Sequence, residues 1–298
     1  MPLSEVPARS TVDHRIAAAD GGHCVLVEVA PRRRPTAEVV MIPGMFTARG
    51  FWLSRKGIGL AAHLADAGMR CWILERRGMG AAAGRTEARL GLNEAERHDL
   101  PAAWTHVRQR SDAPAFIVGH SFGGVLAARA LAGSLPPREC AGLVLFAAQC
   151  EVAKAPLHPP GAWLTGAIVT LLGRLPARIA GLGPEDEPAA AVRDAIEWTT
   201  SARRGGEWLA GLAGLPTPQL AMAGAGDRVD PPSGCERFAR RLAGTDARFE
   251  LLGRAGGWGE DYDHAGMVVS TAARAEVWPF VGHWLARQAA RRPTPPTS

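Results

Sequence analysis

The sequence predicts an α/β fold: one mostly parallel sheet of about eight strands, helices on both faces, and a helical segment inserted late in the chain. Three observations carry this. Short β-branched or apolar runs alternate with alanine- and leucine-rich helical stretches through the first half. One run, Phe116-Ile117-Val118, ends in Gly119-His120-Ser121-Phe122-Gly123-Gly124, a sharp strand-to-helix turn around a serine. From residue 151 to about 215 the strand signal disappears, and helical stretches broken by prolines replace it until strands resume. At 298 residues and 47% hydrophobic content, the chain buries one large core more readily than two small ones. The expected division is a core of 1–150 and 216–298 with a helical cap at 151–215.

The elements follow in order. Residues 11 to 19 and 23 to 30 flank Asp20-Gly21-Gly22, a turn signal, and predict an antiparallel hairpin. Glu38 to Ile42 is a short β-branched strand that stops at Pro43-Gly44-Met45-Phe46. Helical spacing of Ile58, Leu60, Ala61, Leu64 and Ala65 ends at Gly68, a C-cap, before a strand at Arg70 to Leu74. After a small-residue loop, Asn93 is placed to cap a helix to about Arg110 that presents Leu100, Ala103, Trp104 and Val107. Ala115 to Val118 is the strand before the serine, Phe122 to Leu131 its helix, and Ala141 to Ala148 another buried strand. Beyond the insertion come a strand at Gln219 to Ala223, a helix from about Ser233 to Leu242, a strand at Arg248 to Leu252 and a terminal helix over roughly 270–290. A disordered Pro/Thr tail is expected to follow.

Composition removes several classes of function. The net charge of +5 is almost wholly arginine, with Lys56 and Lys154 the two lysines, and the arginine clusters are scattered rather than aligned as a stripe. Nucleic acid is therefore not an expected partner. Cys24, Cys71, Cys140, Cys150 and Cys235 are odd in number and widely spaced, as core thiols are; neither a disulfide framework nor a zinc site is indicated. The first 30 residues hold no continuous apolar signal region, and no uncharged run is long enough for a bilayer. The expectation is a cytoplasmic protein without stable membrane insertion, working without metal or cofactor, for which a homodimer stays open.

The chemistry gathers around Ser121. A serine hydroxyl attacks poorly until a histidine takes its proton, and that histidine needs a carboxylate to fix its tautomer. All three groups must lie on loops at the C-terminal edge of the strands. Asp227, reached from a strand through Gly224-Ala225-Gly226, and His264, in the long loop after the last strand, meet this condition in the chain order serine, acid, histidine. The Phe122 amide, at the start of the next helix, is aimed where an oxyanion would form.

With these residues in view, the chain resembles the α/β-hydrolase superfamily over about residues 36 to 288. The resemblance rests on Gly119 to Gly124, Gly224-x-Gly-Asp227 with Asp230-Pro231 after it, the Arg77-Gly78-Met79-Gly80 turn and Asp263-His264-Ala265-Gly266-Met267. Phe51-Trp52-Leu53, Gly57 to Ala61 and Gly68 to Trp72 look like the lipase and esterase branches, including lysophospholipase- or monoacylglycerol-lipase-like proteins. The resemblance implies a Ser121–His264–Asp227 triad and, by position, a second oxyanion donor at the amide of Met45. The family's usual His-Gly after the third strand is Pro43-Gly44 here, and its common serine after the fourth strand is Ala81.

Each role has a rival. Glu151 occupies the alternative acid position that some lipases use; Asp230 reads as a turn and helix-start residue ahead of Pro231; Asp261 and Asp263 read as loop acids, and His120 as a packed neighbour. The resulting expectation is hydrolysis of a small-molecule carboxylic ester of an apolar acid, in a pocket between sheet edge and cap lined by Phe46, Phe122 and Trp163. Two other readings stay open: an acyltransferase using the same acyl-enzyme, and a hydrolase-like scaffold that only binds. Dehalogenase and epoxide hydrolase chemistry is disfavoured, since those members of the superfamily place aspartate at the position of Ser121.

Overall fold

The computed structural model of the chain describes residues 10–84, 87–242, 244 and 246–291; the expected Pro/Thr tail lies outside them. Eight strands form one sheet: β1 (Thr11–Ala17), β2 (His23–Val29), β3 (Ala37–Ile42), β4 (Met69–Glu75), β5 (Ala115–His120), β6 (Cys140–Phe146), β7 (Gln219–Gly224) and β8 (Ala247–Leu252). Their order across the sheet is β1-β2-β4-β3-β5-β6-β7-β8. β1 and β2 form the opening antiparallel hairpin and β2 lies antiparallel to β4; every other neighbouring pair is parallel. The central strands β3, β5, β6 and β7 are buried along their whole length, which explains why they read as continuous apolar runs rather than alternating ones.

The principal helices are α1 (Leu60–Asp66), α2 (Leu100–Arg108), α3 (Phe122–Gly133), α4 (Gly161–Leu172), α5 (Ala189–Arg203), α6 (Pro232–Leu242) and α7 (Val277–Arg291). α1 and α7 pack on one face of the sheet, and α2, α3 and α6 on the other. Val40 and Ile42 of β3 point into a cluster with α2, α3 and Phe238 of α6, while Val39 and Met41 point into the other with α1 and α7. This is the two-residue alternation of a strand feeding two cores at once. Each large aliphatic side chain buried this way contributes about 1.5–3 kcal/mol relative to exposure. Among the described residues no helix is long and apolar enough to cross a membrane.

Two local expectations are corrected. The helix given to Asn93 starts instead at Leu92–Glu94, runs through a π turn at Ala95–Asp99 and continues as α2. Asn93 is not its cap: its backbone amide donates to Asp194 of α5 and its side chain accepts the indole N–H of Trp198. The cap comes from a residue 101 positions further along the chain, which no local pattern can reveal. Between β6 and β7, where no strand was expected, Arg174–Leu175 and Glu187–Pro188 pair as a two-residue antiparallel ladder too short to show periodicity.

Candidate active site

The parallel strands β3, β5, β6, β7 and β8 all end at the same sheet edge, and the site is assembled from the segments that follow them. β5 delivers Ser121 at φ 52°, a left-handed backbone that a non-glycine residue adopts at a cost of about 1–3 kcal/mol. Its amide is tied to the carbonyl of Phe146 at 2.8 Å. The flanking glycines are steric necessities. A Cβ on Gly123 would stand 2.4 Å from the carbonyl oxygen of Pro43, and one on Gly119 would stand 2.5 Å from Cα of Gly124. Phe46, Ala147 and Ala153 also have positive φ, so unfavourable backbone gathers on the loops around Ser121.

Asp227, after β7, is buried and held on both oxygens. Oδ1 accepts the amides of Val229 and Asp230, each at 2.8 Å, and Oδ2 accepts the Nδ1 proton of His264 at 2.9 Å. His264 is fixed a second time through its own carbonyl, which accepts from Nε2 of His120 at 2.9 Å. A carbonyl only accepts, so His120 carries its proton on Nε2, and Nδ1 stays bare in a pocket where it finds no partner. Burial, with the nearby His264 second, holds the His120 pKa well below the ordinary histidine value. The elbow histidine is thus a neutral post for the His264 loop; no local signal assigns it that task.

The Ser121 hydroxyl donates to Oδ2 of Asp230 at 3.0 Å, and among the described residues no hydrogen bond joins it to His264. Asp230 is therefore more than the turn and helix-start residue read from the sequence. It does precede α6, but its carboxylate is fully buried against the serine, with Lys154 Nζ at 2.6 Å and the side-chain amide of Gln149 on Oδ1. Oδ2 also lies 3.8 Å from Nδ1 of His264. The remaining acids are occupied elsewhere: Glu151 pairs with Arg241, Asp261 accepts the Arg254 amide, and Asp263 accepts the Gly266 amide. Burial pushes the neighbouring Cys150 thiol up to about 12, away from nucleophilic use.

Among the described residues, the amides of Met45 and Phe122 have no hydrogen-bond partner within the chain. The Met45 loop is braced from the insertion. The Phe46 amide donates to Glu187 Oε2 at 2.9 Å, its carbonyl accepts from the Glu185 amide at 3.0 Å, and Glu187 Oε1 receives Arg76 at 2.6 Å. These contacts hold Phe46 at φ 64°. The insertion is anchored further by Arg129 of α3, whose guanidinium lies 4.3 Å from the ring centre of Trp198 and 4.6 Å from that of Trp208. Trp163 does not join the enclosed residues around Ser121; on α4 it is 71% exposed.

Among solved structures the chain is similar to an esterase from Thermogutta terrifontis, with 18% identity, 93% of this chain and 99% of that one covered, and a TM-score of 0.61. It is also similar to a soluble variant of the monoglyceride lipase of Saccharomyces cerevisiae in complex with a substrate analogue, at 16% identity, 97% and 99% coverage and TM-score 0.66. A third likeness is to a monoacylglycerol lipase of Paleococcus ferrophilus, at 17% identity, 88% and 99% coverage and TM-score 0.60. At these identities the likeness is one of fold. No curated protein matches the chain. A family model described as serine aminopeptidase, S33, matches residues 33–256, so the chain belongs to that family and its fold is that of the α/β-hydrolases.

Proposed function

We propose that the protein is a serine esterase that cleaves small carboxylic esters of apolar acids through an acyl-enzyme on Ser121. The observation that carries the reading is the convergence at one sheet edge of a serine on a strained turn and a buried Asp227–His264 pair 2.9 Å apart. In the reaction, the Ser121 hydroxyl turns from Asp230 toward the outer ring nitrogen of His264, gives up its proton and attacks the carbonyl. Asp227 keeps the His264 proton on Nδ1 and stabilises the imidazolium. The free amides of Met45 and Phe122 receive the oxyanion, each supplying about 3–4 kcal/mol to the transition state. Water then releases the acid.

Residues 151–215 act as a cap over the edge, and their apolar character supports esters over peptides despite the peptidase name of the family. Neither Lys154 nor the buried thiols substitutes for the triad in this scheme. The test is labelling by a fluorophosphonate together with Ser121→Ala: labelling at Ser121 is expected, and turnover of p-nitrophenyl butyrate is expected to fall about 10⁴-fold or more. Active enzyme that neither labels nor loses turnover in the variant would sink the proposal.

A further inference from the structure

The nucleophile touches two acid–base systems, and the triad accounts for one of them. The other is Asp230 with Lys154 and Gln149. Asp230 is fully buried and rests against Ser121 Oγ at 3.0 Å, while its other oxygen takes the Lys154 ammonium at 2.6 Å. Gln149 cannot turn over: its Oε1 accepts the amides of Glu151 and Val152 at 2.7 and 2.8 Å, which forces its NH₂ toward Asp230 and the Val152 carbonyl. Lys154 is one of two lysines among 34 cationic side chains, and its ammonium also sits 5.0 Å from the centre of the Phe122 ring. A compact ammonium fits between carboxylate and ring where a planar guanidinium fork would need more room. The result is a charge-balanced carboxylate, locked in place, on the reacting atom itself.

We propose that Asp230 is a second catalytic carboxylate, and that its work is done on the acyl-enzyme, where it holds the hydrolytic water. The inference rests on Ser121 being the nucleophile. In the free enzyme Oδ2 accepts the serine proton. When Ser121 attacks, that proton passes to His264 and then to the leaving group, and Oγ becomes an ester oxygen with no hydrogen. Asp230 then lacks a donor in a buried place, a deficit of about 1–3 kcal/mol that a water molecule relieves. That water gives one hydrogen to Asp230 Oδ2 and aims the other at the outer nitrogen of His264, a ring whose inner nitrogen lies 3.8 Å from the same oxygen. On attack, the carbon–oxygen bond to water forms, His264 takes the water's second proton, the bond to Oγ breaks, and His264 returns the proton to Oγ. Asp230 stays ionised throughout, balanced by Lys154. The same contact holds back acylation slightly, because the serine must leave a charged acceptor before it attacks.

The test compares wild type, Asp230→Asn, and the charge-balanced double variant Asp230→Asn with Lys154→Met, the last guarding against misfolding from an unpaired ammonium; circular dichroism checks each fold. In whichever variant folds, fluorophosphonate labelling is expected to proceed at least as fast as in wild type. Turnover of p-nitrophenyl butyrate is expected to fall about 10- to 100-fold with a parallel fall in KM. A burst of one p-nitrophenolate per enzyme and a butyryl mass on Ser121 should accompany it. Loss of labelling and turnover together without a burst, or kinetics equal to wild type, would overturn the role of Asp230. A wild-type enzyme that hydrolyses the ester without labelling at Ser121 would instead overturn the serine reading on which it stands.

Discussion

The sheet edge and the insertion between β6 and β7 meet at the Met45–Phe46 loop and at Asp230, yet they present different surfaces. At the edge, Ser121, Asp227, Asp230 and His120 are buried and held by short polar contacts. The insertion joins the core by apolar packing of Ala191, Ala195, Trp198 and Leu209 and by polar anchors: Glu187 to Arg76 and Phe46, Asp194 to Arg89 and Asn93, Lys154 to Asp230, and two tryptophans on Arg129. It turns Trp163, Leu164, Leu171 and Ile179 to solvent. Under the proposed function, the polar edge supplies the reacting groups with Lys154 of the insertion beside them, and the exposed apolar surface of the insertion bears on which ester is taken.

The sharpest way to break that division is Glu187, which belongs to the insertion but braces the Met45–Phe46 loop. Glu187→Gln keeps the shape and one acceptor for the Phe46 amide while removing the charge that matches Arg76. The expected result is a fall in kcat of about 10-fold or more with KM little changed, because a misaligned Met45 amide matters most when the oxyanion forms. Steady-state kinetics beside a thermal melt decides it. If only the melting temperature drops, Glu187 merely seats the insertion, and the two regions are as separate as their construction suggests.

What could be read from the sequence follows the same line. The strands, the Ser121 turn and the Asp227 and His264 loops are local: each needs its own glycines, apolar run or short loop, and each leaves those residues adjacent in the chain. Asp230 was visible but assigned to the helix start, since Pro231 behind it is a genuine local signal and the pairing with Lys154 spans 76 positions that no pattern links. The same blindness covers Asn93, whose amide is capped by Asp194, and the grip of the insertion on the Phe46 backbone. Trp163, expected to line the pocket under the insertion, is 71% exposed on α4, and a helix with a solvent-facing apolar side has the same composition as one with a buried side.

A smaller effect separates the regions by acid sensitivity. The His120 pKa lies far below that of an unfolded histidine, about 6.5, so below that pH the unfolded chain binds a proton that the folded one refuses. The contribution to stability is complete above pH 6.5 and is lost as the pH falls, at up to about 1.4 kcal/mol per pH unit. His106, lowered to about 4 mainly by burial and then by Arg110, acts with the same sign on the core away from the site. His120→Gln is therefore expected to flatten, but not abolish, the loss of stability between pH 7 and pH 5, measured by urea unfolding at each pH. An unchanged slope would show that the buried edge is not where acid first acts.

The smallest expected effect lies on the outer side of the insertion. Leu171 is 85% and Ile179 is 91% exposed, and with Trp163 and Leu164 they present apolar area to water that burial against a lipid-like substrate aggregate would remove. Leu171→Ser with Ile179→Ser should leave turnover of a short soluble ester within about twofold, since neither residue braces the Met45 loop or touches Ser121. Turnover of a dispersed long-chain ester should fall several-fold, as two exposed aliphatic side chains account for about 1–2 kcal/mol of partial burial. Equal losses on both esters would mean that these side chains support the insertion itself, and the distinction between a reacting edge and a selecting insertion would have to be redrawn.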